Sequence, residues 1–111
     1  MITPGRNIAI KVPSHLWEET VAFYRDRVGL SVTRDEPGTV AFEFGGVTLW
    51  VDRVPTQSQV DVWLELFSDD PDAALKRLGS PVRDELEPLG KVNGHWTSDP
   101  AGTILLVRAG G

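Results

Sequence analysis

An internal repeat places the strongest constraint on the fold, because the order of strands and helices in the first half of the chain recurs in the second. Alternating apolar side chains predict a strand near the start of each half, and a helix and three further strands follow it. Asn7 aligns with Asp61 at an offset of 54 residues, and Trp50 aligns with Leu106 at an offset of 56. A nearly constant offset is typical of an internal duplication, which we favour over the same order arising by accident.

Two modules of the type βαβββ follow from this repeat. The chain has 111 residues, which is the size of one domain. We assign module one to residues 6–54, a linker to residues 55–59 and module two to residues 60–109. The predicted fold class is therefore α+β, with both modules in a single domain of residues 1–111.

Module one begins with a predicted strand over residues 7–12, where apolar and polar side chains alternate. Ser14 is suited to be the N-cap of a helix over residues 15–28, and Gly29 is suited to end that helix. Gly45 and Gly46 predict a hairpin turn. Three further strands are predicted over residues 30–34, 39–44 and 47–53.

Module two repeats this plan with a predicted strand over residues 60–66. Asp70 and Pro71 are typical of a helix N-terminus, and the helix is predicted to run to Leu78 and to end at Gly79. The remaining strands are predicted over residues 81–86, 94–98 and 103–108.

The composition excludes several classes of protein. Sixteen acidic against eleven basic side chains give a net charge of -5, which argues against nucleic-acid binding and against an anionic membrane surface. The absence of cysteine excludes disulfides, thiolate nucleophiles and cysteine-ligated zinc. No apolar run approaches the roughly 20 residues of a membrane span, and the start of the chain is too poor in apolar residues for a signal peptide. We expect a soluble, cytoplasmic protein.

Four segments resemble the vicinal oxygen chelate superfamily, which includes glyoxalase I, fosfomycin-resistance enzymes, extradiol dioxygenases and bleomycin-resistance proteins. The first three are Ile8–Val12, Ala22–Asp26 and Val28–Leu30, which are similar to the family's first strand and helix. Asp99–Gly102 resembles the turn before its last strand. The resemblance implies a curved mixed sheet around a cleft, with the helices on the convex side.

Alternation along the strands then divides the side chains between the helices and the implied cleft. If Ile8, Ile10 and Val12 pack under the helix, Asn7 and Lys11 point into the cleft. The same reasoning along the other strands gives the predicted ligand-binding residues. These are Asn7, Lys11, Phe42, Trp50, Asp61, Trp63, Glu65, Trp96, Leu106 and Arg108.

The resemblance also identifies four positions at which metal-dependent members of the family carry their ligands. Here these positions hold Asn7, Trp50, Asp61 and Leu106. Asp61 is the one ordinary oxygen donor among them, whereas a stable transition-metal site needs at least three converging His or carboxylate ligands. We therefore predict no metal and no other cofactor, and metal-dependent chemistry is not expected.

Three tryptophans make the implied cleft rich in aromatic surface. Trp50, Trp63 and Trp96 offer broad apolar faces for stacking, and Asp61 and Glu65 add negative charge beside them. We predict a metal-independent small-molecule binding protein that holds an aromatic or cationic natural product. It is similar in this respect to the drug-sequestering, antibiotic-resistance branch of the family. A purely structural role for the tryptophans is the competing interpretation.

The alternative function is a metal-independent isomerase, cyclase or lyase. Asp61 or Glu65 would be its general base, and Lys11 or Arg108 would stabilise a developing oxyanion. The same charges could instead form ordinary ion pairs, Lys11 with Glu65 and Arg108 with Asp61. His95 points away from the cleft by alternation, and we favour a structural or interface role for it over a catalytic one. Short modules with open strand edges also predict a homodimer.

Overall fold

The computed structural model describes residues 1–110, which form two compact units. The first unit is Arg6–Val62, and the second consists of Met1–Gly5 together with the chain from Trp63 onward. Strand β1 (Ile2–Val12) contributes to both units, because its first four residues belong to the second and the rest to the first.

The first unit follows the predicted βαβββ order. Helix α1 (Ser14–Ala22) continues into a π-helical segment (Phe23–Val28), and three strands follow. These are β2 (Val32–Glu36), β3 (Thr39–Phe44) and β4 (Val47–Arg53).

The second unit has one strand fewer than predicted. Its elements after β1 are β5 (Asp61–Ser68), α2 (Pro71–Leu78), β6 (Gly94–Ser98) and β7 (Ile104–Ala109). The seven strands hydrogen-bond in the order β2-β3-β4-β1-β5-β7-β6. The β1–β4 and β5–β7 pairs are parallel and the β2–β3, β3–β4 and β6–β7 pairs are antiparallel. The mixed sheet confirms the α+β fold class.

The helix-facing side of the first unit is its hydrophobic core. Ile8, Ile10 and Val12 pack here, as alternation predicts. The core also contains side chains from α1, the π-helical segment and the other strands. Its buried members are Val12, Val21, Val40, Phe42, Leu49 and Val51, and Trp17, Tyr24 and Leu30 pack against them.

The first helical region ends as predicted at Gly29, which has a left-handed backbone, but it begins one residue earlier than predicted. Pro13 is the N-cap instead of Ser14, and its carbonyl accepts the Leu16 N–H at 3.0 Å. The region closes with a π-helical segment whose cap, Gly29, donates its N–H to the Tyr24 carbonyl, and the Leu30 N–H bonds to the same carbonyl at 3.0 Å. Because the backbone N–H of Leu30 bonds to the end of the helix, it cannot join a strand ladder, and β2 begins two residues later than predicted.

The strand predicted over residues 81–86 does not form. Pro81 has no N–H to donate to a ladder, and the side chain of Asp84 accepts the Trp96 N–H at 2.8 Å, where a strand partner would bind. One backbone hydrogen bond remains, from the Arg83 N–H to the Trp96 carbonyl at 2.6 Å. Residues 81–86 therefore run beside β6 without forming a strand.

The helix of the second unit has the ends that the sequence predicts. The Asp70 side chain accepts the Ala73 N–H at 3.1 Å, Pro71 opens the first turn, and Gly79 ends the helix with a left-handed backbone. Within residues 1–110, neither helix is long and apolar enough to cross a membrane.

Candidate functional site

The side of the first unit that faces away from α1 carries an ordered polar surface. Strand pairing places Ala9, Trp50, Ala41 and Arg34 side by side across four strands. Opposite residues in paired strands project from the same side of a sheet, so these four side chains form one row. Lys11, Asp52 and Thr39 form the next row. We define the Trp50 face as Asn7, Lys11, Arg34, Trp50 and Asp52.

Trp50 is held in position at the centre of the Trp50 face. Its indole N–H donates a hydrogen bond to the side-chain oxygen of Asn7 at 2.7 Å. The guanidinium carbon of Arg34 lies 5.9 Å from the centre of its ring, which is within the range of a cation–π contact. Trp50 is only half-buried. One edge of the indole is therefore fixed, while part of its surface remains open to a ligand.

Lys11 and Asp52 form an ion pair beside this ring. The Lys11 ammonium lies 2.8 Å from the Asp52 carboxylate, and the two side chains are 6% and 21% exposed. Thr39 also donates its hydroxyl hydrogen to Asp52. Asp52 is thus neutralised from within the unit and contributes little attraction toward a cationic ligand.

Two of the predicted ligand-binding residues of this unit lie elsewhere. Phe42 has no exposed surface and belongs to the helix-side core, because it pairs with Leu49 and not with Trp50. We therefore correct its assignment and leave Phe42 out of the candidate site. Asp61 is exposed and accepts a hydrogen bond from Gln57 at 3.1 Å, so it lacks the apolar surroundings expected of a tuned general base.

A second cluster, in the second unit, contains the other predicted residues. Strand pairing aligns Glu65 with Leu106, and Leu106 with Trp96. The rings of Trp63 and Trp96 meet edge to face with centroids 5.1 Å apart. We define the Glu65 face as Trp63, Glu65, Trp96, Leu106 and Arg108. Both tryptophans are 8% exposed, so in this structure their rings serve mainly as core.

Glu65 is the most unusual group of the Glu65 face, because a carboxylate is rarely so buried. Its side chain is 5% exposed, and an Arg108 guanidinium nitrogen lies 3.9 Å from one of its oxygens. Arg108 thus pairs with Glu65 rather than with Asp61.

Two glycines make room for this arrangement. A β-carbon at Gly5 would lie 2.5 to 2.7 Å from atoms of the Glu65 side chain. A β-carbon at Gly94 would lie 2.4 Å from the Val107 carbonyl oxygen and 2.9 Å from the Arg108 α-carbon. Both positions need glycine for close approach. Sequence reasoning missed Gly5, because the pattern before Asn7 gave no strand.

The four positions that resemble metal-ligand positions do not fit a metal. The Asn7 oxygen is used by the Trp50 N–H, an indole N–H is a donor without a free lone pair, and Leu106 has no donor atom. Asp61 remains as a single carboxylate. Within residues 1–110, no three His, Cys, Asp or Glu side chains are placed to hold a metal ion.

His95 lies on the helix side of the second unit and bridges two carboxylates. Its Nε2 lies 2.7 Å from Asp72 on α2, and its Nδ1 lies 3.0 Å from Asp84. The hydrogen bonds to Asp72 and then Asp84 raise the pKa of His95 above its usual value. Burial alone would raise the pKa of Asp84, but hydrogen bonds from His95 and the Trp96 N–H outweigh it and lower that pKa. These contacts join β6 to α2 and to the segment that contains Asp84.

We expect this bridge to make stability depend on pH. The folded pKa of His95 is raised, so its stabilisation is fully present below the unfolded value of roughly 6.5 and is lost as pH rises through the folded value. His95→Gln should lower the free energy of unfolding by about 1 kcal/mol at low pH. The deficit should shrink above the folded pKa. Urea denaturation of both proteins between roughly pH 5.5 and pH 8.5 measures this difference, and a deficit that is independent of pH would contradict it.

Solved structures match the chain over nearly all of its length. A glyoxalase/bleomycin resistance protein/dioxygenase superfamily member from Vibrio splendidus 12B01 matches with a TM-score of 0.62 at 12% identity, over 99% of this chain and 98% of that one. Methylmalonyl-CoA epimerase from Mycobacterium tuberculosis matches with a TM-score of 0.60 at 15% identity, over 99% and 89%. The Mn(II)-bound glyoxalase from Novosphingobium aromaticivorans matches with a TM-score of 0.65 at 21% identity, over 97% of this chain and 39% of that one.

The chain therefore has the fold of the glyoxalase/bleomycin resistance/dioxygenase proteins, the vicinal oxygen chelate fold. This confirms the fold that the sequence resemblance implied. No protein-family model matches the chain, and no curated protein matches its sequence. Identities this low establish the fold alone, and the function has to be argued from the site.

Proposed function

We propose that the protein binds a small aromatic ligand on the Trp50 face, without the help of a metal ion. The observation that carries this proposal is the state of Trp50: it is half-buried and its N–H is anchored to Asn7 at 2.7 Å. An aromatic ring held by a hydrogen bond at its edge loses little conformational entropy when a ligand stacks on it.

The neighbours of Trp50 support a planar ligand. Ala9 and Ala41 flank it in the same row of the sheet, so no large side chain rises beside the indole from the adjacent strands. Ala9 is partly exposed, so a flat molecule can extend past the ring toward β1, whereas Ala41 on the other side has no exposed surface. Aromatic natural products of the kind sequestered by drug-binding proteins meet this requirement.

Binding should depend on Trp50 and not on tryptophan in general. We expect Trp50→Ala to weaken an aromatic ligand by roughly tenfold to a hundredfold, because stacking and apolar burial are lost. Trp17→Phe is the matched control, since Trp17 packs on the helix side and its N–H donates to the Val51 carbonyl at 3.0 Å.

A natural-product screen by thermal shift supplies the ligand, since a compound that binds the native state raises its melting temperature. Isothermal calorimetry then gives the dissociation constant of parent and variants. Equal affinities for folded Trp50→Ala and the parent protein would refute binding on the Trp50 face. Elemental analysis tests the metal separately, and about one transition metal per chain would refute metal independence.

A second candidate function is proton-transfer catalysis with Glu65 as the general base. It is favoured by the burial of the Glu65 carboxylate, whose side chain is 5% exposed, and by the presence of methylmalonyl-CoA epimerases among the similar structures. Arg108, 3.9 Å from Glu65, would be placed to stabilise a developing negative charge.

Product analysis separates the two functions. A ligand recovered unchanged after long incubation supports sequestration, whereas conversion that Glu65→Gln abolishes supports catalysis. Exchange of substrate hydrogen for deuterium in heavy water would reveal proton transfer even without net conversion. No exchange and no conversion would rule out the catalytic candidate for the compound tested.

A further inference from the structure

We infer that the ligand of the Trp50 face carries an acidic group next to its aromatic ring, and that Arg34 is the residue that selects for it. This inference rests on the proposed binding function, and it specifies the charge that the ligand carries. The sequence alone predicts an aromatic or a cationic ligand, and an acidic group on an aromatic ligand is a narrower prediction.

The position of Arg34 is the first argument. It lies in the same row as Trp50, separated from it only by Ala41, and its guanidinium carbon is 5.9 Å from the centre of the indole. The Ala41 side chain is a single methyl group, which is too short to separate the guanidinium from the indole. A planar molecule that stacks on Trp50 must therefore share the ring with the Arg34 guanidinium or displace it, and in both cases its substituents lie within reach of Arg34.

The availability of Arg34 is the second argument. Its side chain is 61% exposed, and Glu36 is its ion-pair partner at 3.9 Å, close to the limit of such a contact. Arg25 and Arg83 differ, because each donates a hydrogen bond of 2.9 Å or shorter to a neighbouring carboxylate. A guanidinium has five N–H donors arranged to bind a carboxylate or phosphate through two of them.

The state of the nearby carboxylates is the third argument. Asp52 is paired with Lys11 at 2.8 Å, and the Glu43 carboxylate accepts the Gly46 N–H at 2.8 Å. The charge that lies directly over the Trp50 ring is the positive charge of Arg34. An acidic group on the ligand can replace the long Arg34–Glu36 contact with a closer one, whereas a cationic group would meet Arg34 as a like charge.

A matched set of three probes tests the inference. 2-Naphthoate, 2-naphthamide and 2-naphthylmethylammonium present the same aromatic rings with a negative, a neutral and a positive substituent. Isothermal calorimetry at neutral pH gives their dissociation constants. We expect naphthoate to bind roughly fivefold to tenfold more tightly than naphthamide, and the cation to bind most weakly. Added salt should reduce the preference for naphthoate, because it screens the pair with Arg34.

Two arginine variants show which residue causes the preference for naphthoate over naphthamide. Arg34→Gln should bring the affinity for naphthoate down to that for naphthamide. Arg53→Gln is the matched control, because its guanidinium carbon also lies 5.9 Å from a tryptophan ring, that of Trp17 on the helix side. It makes the same change in net charge and should keep the preference for naphthoate.

The outcomes separate this inference from the proposed function. Equal binding of the three probes, with a loss of affinity for each in Trp50→Ala, overturns the inference and supports aromatic binding. Tightest binding of the cation overturns the inference in favour of a cationic ligand. A preference for naphthoate that persists in Arg34→Gln overturns the role of Arg34. Failure of every probe to bind overturns the inference and the aromatic-binding proposal together.

Discussion

Asp52→Asn is expected to lower the free energy of unfolding by about 3 kcal/mol, the typical cost of breaking a buried ion pair from one side. The substitution leaves the Lys11 ammonium, whose side chain is 6% exposed, without the carboxylate at 2.8 Å. It also replaces an acceptor of the Thr39 hydroxyl by a weaker one. Urea denaturation followed by tryptophan fluorescence measures the change.

A double variant shows whether the loss arises from the charge of Lys11. Lys11→Met combined with Asp52→Leu removes both charges, and we expect it to be more stable than Asp52→Asn alone, because no buried ammonium remains that has lost its carboxylate at 2.8 Å. Asp26→Asn is the exposed control, since its partner Arg25 and Asp26 itself are 49% and 59% exposed. That variant should change stability far less than Asp52→Asn does, because water screens an exposed pair. A similarly small change in Asp52→Asn would contradict the prediction.

Trp63→Ala is expected to cost about 3–5 kcal/mol of stability, which is the usual range for removing a large aromatic side chain from a core. Trp63 is 8% exposed and meets Trp96 edge to face at 5.1 Å, so its loss opens a cavity and removes an aromatic contact. Trp63→Phe should lower the free energy of unfolding by less than Trp63→Ala, because a smaller aromatic ring still fills part of the space.

The sequence-based expectation that Trp63 stacks on a ligand can be tested with the same variants. Trp63→Phe is the better choice for affinity measurements, because it should remain folded at ordinary temperature. A tenfold loss of affinity in that variant would support a ligand contact, and an unchanged affinity would leave Trp63 with its role in the core. A loss of stability below about 1 kcal/mol in Trp63→Ala would contradict the core assignment.

The strands that were predicted most accurately are those whose ends are marked by local chemistry. The bounds of β3 and β4 follow from alternation on either side of Gly45 and Gly46, which both have a left-handed backbone. The second helix was equally clear, since Asp70 and Gly79 are local signals at its ends. Such signals act within a few residues, so no tertiary information is needed to interpret them.

The errors arose where a tertiary contact overrides the local pattern. Residues 81–86 have the composition of a strand, but Pro81 and the side chain of Asp84 remove the backbone pairing that a strand requires. The π-helical turn depends on the Gly29 N–H bonding to the Tyr24 carbonyl, and apolar spacing does not indicate such a turn.

The candidate site was predictable in part, for a similar reason. Alternation along β1 and β4 placed Asn7 and Trp50 on one side, and their hydrogen bond shows that they do meet. Arg34 was missed because the register between β2 and β3 shifts between Val32 and Arg34. An irregularity of this kind breaks the period of two, so the side on which Arg34 projects cannot be obtained by counting.

The sharing of β1 between the units has a consequence for how the two halves could be separated. The repeat suggests two interchangeable halves joined near residues 55–59, yet the second unit includes Met1–Gly5. A cut in that linker would deprive the second fragment of the segment that lies against Glu65. The carboxyl-terminal fragment would then need the amino-terminal one to complete it, as in fragment complementation. The boundary of the repeat in sequence thus differs from the boundary of the compact units in the structure.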